Sequence, residues 1–412
     1  MLAVPILLYS FGVVKWTREE LYQLDVRTRK MMHLYRSLHP KSSVPRLYFP
    51  RQQGGRGLLS LECLHDRMIL DTACKVVRSS DPLLCMVRDH ERAGIGAFLL
   101  RAAARAADEL GIVFDSEQGD YNSVTELEPV QQKAQIKAAE ITLLLRRHRD
   151  KPMHGVFFNN IEDLGLSKRL TFAFLRSSGL KSETEGFIMA CQDGVFNTLV
   201  YRSRVMGIEV PDTRCRACRE APETLMHLLS ACPAYAVSAY IHRHNAALRV
   251  LYYHLRHSYG IDETPVLPYA PGNIESVVGN KKCRIYWNYS FPTLRLIQAN
   301  KPDVVLLDHQ TKTIFVVEFS APGETNIVRK EEEKRIKYRD FLFELRRLYP
   351  DHSVKMVVLI IGVLGGMMSS LLSNIKIIPA CRTKAEILAA QMQKAVILGS
   401  LRLLRAHDSR TQ

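Results

Sequence analysis

The sequence predicts an α+β multidomain chain with a largely helical N-terminal half, a small Cys/His zinc module and a C-terminal α/β domain. Helical signals dominate residues 1–115 and 116–205, and a compact group of cysteines and a histidine lies within 206–260. Over 265–400, strand-like apolar runs alternate with one long charged helix, which is typical of an α/β domain. With 47% apolar and 24% charged residues, the composition excludes a disordered chain.

The charge balance predicts a polyanionic partner. The chain carries 57 basic and 42 acidic residues, for a net charge of +15. Nucleic acid is the first candidate and an anionic membrane surface the second. Charge alone also fits a basic protein without such a partner, so the other features of the sequence must decide.

The nine cysteines indicate a reducing compartment. Their number is odd and most stand alone among apolar residues. Residues 2–14 are apolar but follow no basic segment, so a signal peptide is not expected. We therefore expect free thiols rather than disulfides, and a nuclear or cytoplasmic protein that is not secreted.

One stretch has the length and apolarity of a membrane span. Residues 356–375 carry no charge. Three glycines, three serines and an asparagine interrupt the stretch, which favours a buried strand over 354–361, a glycine turn and then a helix. A membrane anchor remains the weaker alternative.

The helical region 1–115 begins with a capping signal and contains a basic loop. Thr17 followed three residues later by Glu20 is typical of a helix start. The loop 45–58 carries Arg46, Arg51 and Arg56 beside Tyr48 and Phe49, a set suited to contacting a nucleic-acid backbone and stacking on bases. A solvated basic turn would look the same.

Two further helices are expected near 97–110 and 129–148, separated by an acidic, polar stretch at 116–128 that we interpret as a linker. The second of these helices ends in a run of basic residues, which favours a helix C-terminus there.

The zinc module is predicted from ligand spacing. The candidate ligands follow the pattern C-x2-C-x8-H-x4-C: Cys215, Cys218, His227 and Cys232. Three thiolates and a neutral imidazole satisfy tetrahedral Zn²⁺, and with four protein ligands we expect a structural rather than a catalytic ion. Arg216 lies inside the module, where it suits phosphate contact. The alternative is four unrelated residues that fall close together by chance.

A hairpin after residue 300 would bring two carboxylates together. Two β-rich runs are separated by four polar residues, and pairing Asp308 with Thr313 places Asp303 opposite Glu318. Both faces of these strands are apolar, so two adjacent carboxylates there would repel each other unless they shared a cation. Magnesium suits such oxygen ligands, and the site could then activate water for phosphodiester hydrolysis. The alternative is a pair of exposed acids at strand ends.

A charged helix downstream could complete the site. It is expected to begin at Glu331 and to run to about Leu348, with Lys334 and Tyr338 four residues apart on one face. The lysine could reach a scissile phosphate and offset the charge that develops there. The alternative for this segment is a solvent-exposed helix stabilised by Glu–Lys and Glu–Arg ion pairs.

Taken together, these motifs resemble the restriction-like endonuclease of site-specific non-long-terminal-repeat retrotransposons. Pro302-Asp303, then Glu318, then Lys334-x3-Tyr338 is similar to a PD-(D/E)xK motif whose lysine has moved to a helix. Ser320 stands where the simple motif has lysine. The resemblance includes the upstream CCHC knuckle, and it extends more weakly to residues 11–58, which are similar to the segment after the reverse-transcriptase palm.

The resemblance implies a restriction-like nuclease fold over 265–400, a CCHC knuckle within 206–260 and a thumb-like nucleic-acid-binding region at 1–115. It implies a Mg²⁺-dependent enzyme that nicks a DNA target, with element RNA as a second partner and no membrane. No paired-aspartate polymerase signature is present, so polymerase activity is expected to be supplied elsewhere. Asn288 and Leu294 depart from the family pattern, and the alternative is a non-catalytic, zinc-containing nucleic-acid-binding protein with a decayed nuclease fold.

Overall fold

The computed structural model describes residues 3–94, 98–121, 129–266 and 274–409. They divide into two compact units, Met1–Pro152 and Met153–Gln412. The Cys/His module and the C-terminal sheet both lie in the second unit. The finer domain boundaries expected from the sequence stay predictions.

The first unit is helical. Its helices are α1 (Ala3–Phe11), α2 (Arg18–Leu34), α3 (Leu61–Arg78), α4 (Pro82–Ala93), α5 (Leu99–Leu110) and α6 (Pro129–Arg149). The expected start of α2 is confirmed, since the Thr17 hydroxyl accepts the Glu20 amide and the Glu20 carboxylate accepts the Thr17 amide. The two helices expected near 97–110 and 129–148 are confirmed as α5 and α6.

A short hairpin of β1 (Phe114–Asp115) and β2 (Asp120–Tyr121) follows α5. The turn and β2 of this hairpin lie in the first part of the acidic stretch 116–128, which we interpret as a linker. The rest of that stretch, 122–128, lies outside the described residues.

Helices also open the second unit and flank its Cys/His module. They are α7 (Val156–Asp163), α8 (Lys168–Thr171), α9 (Phe174–Ser177), α10 (Ser182–Gln192), α11 (Leu199–Arg204), α12 (Pro233–Tyr235) and α13 (Ile241–Ser258). Two π-helical turns, His227–Ala231 and Ala236–Tyr240, lie on either side of α12. The chain therefore passes from the module into α13 in nearly continuous helix.

The C-terminal part is a five-stranded mixed sheet, so the expected combination of α and β structure is confirmed. Its strands lie in chain order: β3 (Val277–Gly279), β4 (Cys283–Trp287), β5 (Val304–Asp308), β6 (Thr313–Ser320) and β7 (Ser353–Ile360). Neighbouring strands are antiparallel up to β6, and β7 runs parallel to β6. The remaining helices are α14 (Ile327–Lys337), α15 (Arg339–Leu348), α16 (Ser370–Lys376) and α17 (Ala385–Ser409).

Helices cover both faces of this sheet, as the apolar strands predicted. On one face, Leu306 and Val317 pack in a core with α13, α16 and α17. On the other face, Val305 and Val316 pack with Phe341 of α15. Because side chains alternate along a strand, Glu318 belongs to the face of Val305 and Val316, which is the one covered by α15. Asp303 precedes β5, and its carboxylate reaches α13.

The charged helix differs from the single helix expected from Glu331 to about Leu348. It begins earlier, at Ile327, and divides into α14 and α15 at Tyr338. The Tyr338 amide donates to the Ile336 carbonyl rather than to the carbonyl four residues back, so the α-helical ladder is interrupted there. The break fixes Tyr338 at the junction, with its ring buried beneath the sheet.

The uncharged stretch 356–375 forms the end of β7, a glycine turn and α16, as the sequence predicted. A different segment, Pro379–Ser409, has the length and apolarity of a membrane-crossing helix. However, 61% of its apolar window is buried inside the structure, as is common for a core helix.

Candidate metal centre and carboxylate site

The Cys/His module is a tight hairpin followed by a helical turn. An isolated bridge pairs Arg214 with Pro222, and the Cys215 amide donates to the Ala221 carbonyl at 2.7 Å. Arg219, between the two halves, has a positive φ of 64°, which lets the chain reverse just after the second cysteine. The π-helical turn from His227 then brings the imidazole and Cys232 back to the hairpin.

These elements bring the four predicted ligands together. The ligand atoms of Cys215, Cys218, His227 and Cys232 all lie within 4.8 Å of one another. Cys215 Sγ is 3.8 Å from Cys232 Sγ. A tetrahedron with Zn–S bonds of about 2.3 Å has sulfur–sulfur edges of about 3.8 Å. The cluster therefore fits a zinc ion, and within the described residues it is the one group of cysteines, histidines and acids that meets this spacing.

The protonation chemistry of the cluster is compatible with a metal. Burial raises the pKa of Cys218, but the Glu220 and Ala221 amides outweigh that effect and hold it below its ordinary value. Burial raises the pKa of Cys232 to about 12 and lowers that of His227. The neutral imidazole is the form that coordinates zinc, while Cys232 would lose its proton on binding.

Arg216 stabilises this module through an ion pair with a buried acid. Its guanidinium donates to Glu223 at 2.7 Å from Nη2, and its backbone amide donates to the same carboxylate at 2.9 Å. Glu223 is fully buried and also accepts the Leu199 amide. Arg216 therefore has a structural contact within the module, and phosphate binding by this residue stays a prediction.

The hairpin register places the two candidate carboxylates side by side. Asp308 pairs with Thr313 and Val304 with Val317, as the sequence predicted. Asp303, one residue before β5, continues this pairing toward Glu318. The Asp303 amide donates to Glu318 Oε1 at 3.0 Å, and the Phe319 amide donates to Asp303 Oδ2 at 2.8 Å. Each acid is thus held by the backbone of the neighbouring strand.

Lys334 and Tyr338 complete the set expected from the sequence. Lys334 Nζ donates to Glu318 Oε2 at 2.6 Å. The Tyr338 hydroxyl donates to the Lys301 carbonyl at 3.1 Å. Burial, and then the nearby negative charge of Glu318, raise the pKa of Tyr338. All four predicted residues therefore meet at one end of β5 and β6.

The pKa values of the two carboxyl groups are shifted in opposite directions. Burial raises the pKa of Glu318, which is only 1% exposed, and the charge of Asp303 raises it further. Burial also raises the pKa of Asp303, but His244, the Phe319 amide and Lys334 outweigh that effect and leave it below its ordinary value. Asp303 is thus the more strongly ionised of the two acids.

Sequence reasoning missed His244, which lies in the first turn of α13. Its Nε2 is 3.1 Å from Asp303 Oδ2 and 3.2 Å from the Phe319 carbonyl oxygen. Both partners are acceptors, so Nε2 carries the proton. Burial lowers the pKa of His244, but the hydrogen bond and charge of Asp303 outweigh burial and raise it. The cluster of histidines at 242 and 244 is the only sequence signal that could have pointed to this residue.

A cleft of 390 Å³ opens beside Asp303, between the Cys/His module and the sheet. The wall on the module side includes Ser230 and Tyr240, and the opposite wall includes Trp287, Asn288 and Ser320. The cleft gives solvent and a ligand access to the Asp303 end of the site.

Asn288 and Leu294, which depart from the motifs of the family that the sequence resembles, each make a local backbone contact. Asn288 has a positive φ of 46°, a conformation that asparagine tolerates better than most residues, and its amide donates to the Asp303 carbonyl. Leu294 is exposed, and its amide donates to the buried carboxylate of Glu344. Asn288 thus helps to fix the backbone of a candidate catalytic residue.

The basic loop in the first unit is more buried than the sequence suggested. Arg46 is 1% exposed and donates from Nε to the Gly54 carbonyl, which stabilises the loop from within. Phe49 is fully buried against His148, so stacking of a base on its ring is ruled out in this conformation. Arg51 and Arg56 are half-buried. Nucleic-acid contact through the three arginines stays a prediction.

Comparison with known proteins does not assign this chain to a family. No family model matches it, and no curated protein is significantly similar to it.

Proposed function

We propose that this chain is the metal-dependent DNA endonuclease part of a retrotransposon polyprotein. The observation that carries the proposal is the convergence of Asp303, Glu318 and Lys334 from two strands and a helix, with Glu318 buried. Buried acids with shifted pKa values are candidates for functional sites, and a metal ion that they hold can activate water for phosphodiester hydrolysis.

In this proposal the two carboxylates hold a magnesium ion, which supplies Lewis-acid activation of water and of the scissile phosphate. Asp303 would hold the ion with a carboxylate whose described side-chain hydrogen bonds both fall on Oδ2. Glu318 would contribute Oε1 or Oε2 by exchanging a hydrogen bond for the cation. Lys334 would then move from Glu318 Oε2 to the phosphate, where its charge stabilises the transition state. Tyr338 supports the site by anchoring the backbone at Lys301.

The partners and location follow from the same proposal. The net charge of +15 favours a nucleic-acid partner, here a DNA target together with element RNA. The zinc module and the basic loop with Arg46, Arg51 and Arg56 would hold nucleic acid, with Arg216 contributing from the module. The protein would act in the nucleus, and the polymerase portion would be supplied elsewhere.

The test is nicking of supercoiled plasmid by the zinc-loaded full chain with Mg²⁺. The parent should convert supercoiled to relaxed circles, and Asp303→Ala should abolish conversion while DNA binding in a mobility-shift assay persists. Asp340→Ala, an exposed aspartate in α15, is the matched control and should cleave like the parent. Equal nicking by the parent and Asp303→Ala would refute the proposal.

The ion pairs of the two acids support a second candidate function. Lys334 already neutralises Glu318, and His244 already pairs with Asp303, so the chain itself satisfies both acids without a cation. That arrangement would suit a non-catalytic, zinc-containing nucleic-acid-binding protein with a decayed nuclease fold. DNA binding by the parent without any Mg²⁺-dependent nicking would favour this function over the endonuclease.

A further inference from the structure

Two consecutive residues of α13 point to different parts of the second unit. Arg243 contacts the Cys/His module, and His244 contacts the candidate carboxylate site. Both lie in the first turn of the helix, which begins one residue after the π-helical turn that follows the module. A single helical turn thus joins the two candidate metal sites.

Arg243 is a buried cation held by three different segments. Its Nη2 donates at 2.8 Å to the Leu229 carbonyl, which lies between the ligands His227 and Cys232. The same nitrogen is 3.5 Å from the Ala321 carbonyl, three residues after Glu318, and Nη1 donates to Ser400 of α17. The guanidinium therefore links the zinc-ligand turn to the end of β6.

Tyr240 strengthens this link from the module side. Its hydroxyl donates to the Leu228 carbonyl at 2.7 Å and accepts the Cys232 amide at 3.0 Å. The Arg243 guanidinium lies over its ring, 5.0 Å from the centroid. The first turn of α13 is thus fastened to the same backbone that carries two of the four zinc ligands.

His244 transmits that fixed position to Asp303. Its Nε2 bridges Asp303 Oδ2 and the Phe319 carbonyl, and its Nδ1 contacts the Asn245 amide oxygen at 3.0 Å. The ring also packs edge-on against Phe319, with centroids 5.4 Å apart. These contacts hold the imidazole against the Asp303 carboxylate.

We propose that His244 is a positioning residue for Asp303 and that the zinc-bound Cys/His module holds His244 in place through Arg243. The inference rests on the proposed cation site at Asp303 and Glu318. It assigns the module a role in ordering the carboxylate site, in addition to any contact with nucleic acid. Partners that orient a ligating carboxylate from behind commonly set its metal affinity, and their loss costs about 10–100-fold.

The test measures Mn²⁺ binding to the zinc-loaded full chain by electron paramagnetic resonance, so it does not depend on cleavage. His244→Ala should weaken Mn²⁺ binding about tenfold or more, whereas His244→Gln, whose amide nitrogen can replace Nε2, should recover most of the affinity. His254→Ala is the matched control, since His254 lies on the same helix but contacts the Ala380 carbonyl instead. It should bind Mn²⁺ like the parent.

Three results separate failure of this inference from failure of the proposed function. If Asp303→Ala binds Mn²⁺ like the parent, the proposed cation site itself is wrong. If Asp303→Ala loses binding but His244→Ala retains the parental affinity, the positioning role is overturned. If His244→Gln is as weak as His244→Ala, the imidazole acts by packing and the proposal also fails.

The link to the module is tested with Arg243→Lys, which keeps the charge but loses the forked guanidinium. Zinc content should stay at the parental stoichiometry while Mn²⁺ affinity falls toward that of His244→Ala. Parental Mn²⁺ affinity in Arg243→Lys would refute the link. If this variant does not fold, Tyr240→Phe replaces it, because it loses only the hydroxyl contacts with the module, and the same two outcomes apply.

Discussion

Lys334 Nζ donates to Glu318 Oε2 at 2.6 Å, which joins α14 to β6 at the candidate site. Glu318 is 1% exposed, while the Lys334 side chain is 19% exposed. The lysine therefore neutralises an acid that water hardly reaches, and it does so from the solvent side of the site. This geometry makes the pair a determinant of stability as well as a candidate part of the chemistry.

Lys334→Ala should destabilise the protein by about 3 kcal/mol near pH 8, because it leaves a buried carboxylate without its partner. Burial and the Asp303 charge already raise the pKa of Glu318, and loss of the lysine raises it further. Protonation of the carboxyl removes its unpaired charge, so the loss should be smaller at pH 5. Urea unfolding at the two pH values measures both effects. Lys330→Ala changes a half-exposed lysine of the same helix and should cost less than about 1 kcal/mol at either pH.

Glu223→Gln should destabilise the second unit by about 2–4 kcal/mol at neutral pH, because Arg216 and the Leu199 amide lose a buried anionic partner. Burial raises the pKa of Glu223, but contacts with His407 and Arg216 outweigh it and hold it well below its ordinary value of 4.5. The stabilisation is therefore present above pH 4.5 and is lost as pH falls through the lower folded-state pKa. Unfolding followed from pH 7 to pH 3 should show the difference between parent and variant begin to narrow as pH falls below about 4.5. Glu220→Gln, which changes an exposed acid in the same hairpin, should show the same dependence of the free energy of unfolding on pH as the parent.

The ionisation of Glu324 should make stability depend on pH in the direction opposite to that of Glu223. Burial raises its pKa to about 7, even though the Leu364 amide donates to its carboxyl at 2.6 Å. An acid with a raised folded-state pKa binds its proton more tightly in the folded protein, so stability should fall as pH rises from about 4.5 to about 7. The full change is about 3 kcal/mol. Glu324→Gln should remove this slope, and an unchanged slope in the variant would show that another group titrates over that range.

Substitution of the proposed zinc ligands should lower the zinc content of the protein. Each of the substitutions Cys218→Ser and Cys232→Ser should lower zinc content below the one ion per chain expected for the parent, because a tetrahedral site loses a thiolate. Cys63→Ser, which alters a thiol in the other unit, should retain parental zinc. Zinc content measured by a chromogenic chelator after denaturation distinguishes these cases. Parental zinc content in both module variants would contradict the assignment of these ligands.

Contacts that depend on local periodicity could be predicted from the sequence. A four-residue connection and alternating strands sufficed to pair Asp308 with Thr313, and that register brings Asp303 to Glu318. Ligand spacing likewise predicted the Cys/His cluster. His244 could not be predicted in the same way, because it is 59 residues from Asp303 in the sequence and meets it through the packing of α13 on the sheet. Helical periodicity tells which face of α13 is apolar, but not which carboxylate a polar residue at its end will reach.

Gly399→Ala tests whether the position of Arg243 is as constrained as its contacts suggest. A Cβ at Gly399 would lie 2.8 Å from both Cβ and Cγ of Arg243, and 3.2 Å from its Cα. These atoms are close to the backbone, so a side-chain rotation cannot relieve the clash and α13 or α17 must shift. Alanine gains up to about 1 kcal/mol of helix propensity over glycine, yet the clash should dominate and give a net loss of about 1–3 kcal/mol.

A double-mutant cycle identifies the cause of that loss. Truncation of Arg243 to alanine removes Cγ and part of the clash, so Gly399→Ala should cost less in the Arg243→Ala background than in the parent. Equal costs in the two backgrounds would mean that α17 is disturbed for a reason unrelated to Arg243. If the coupling is present, α17 packs directly against Arg243, the residue that donates to the Leu229 carbonyl and precedes His244 at Asp303.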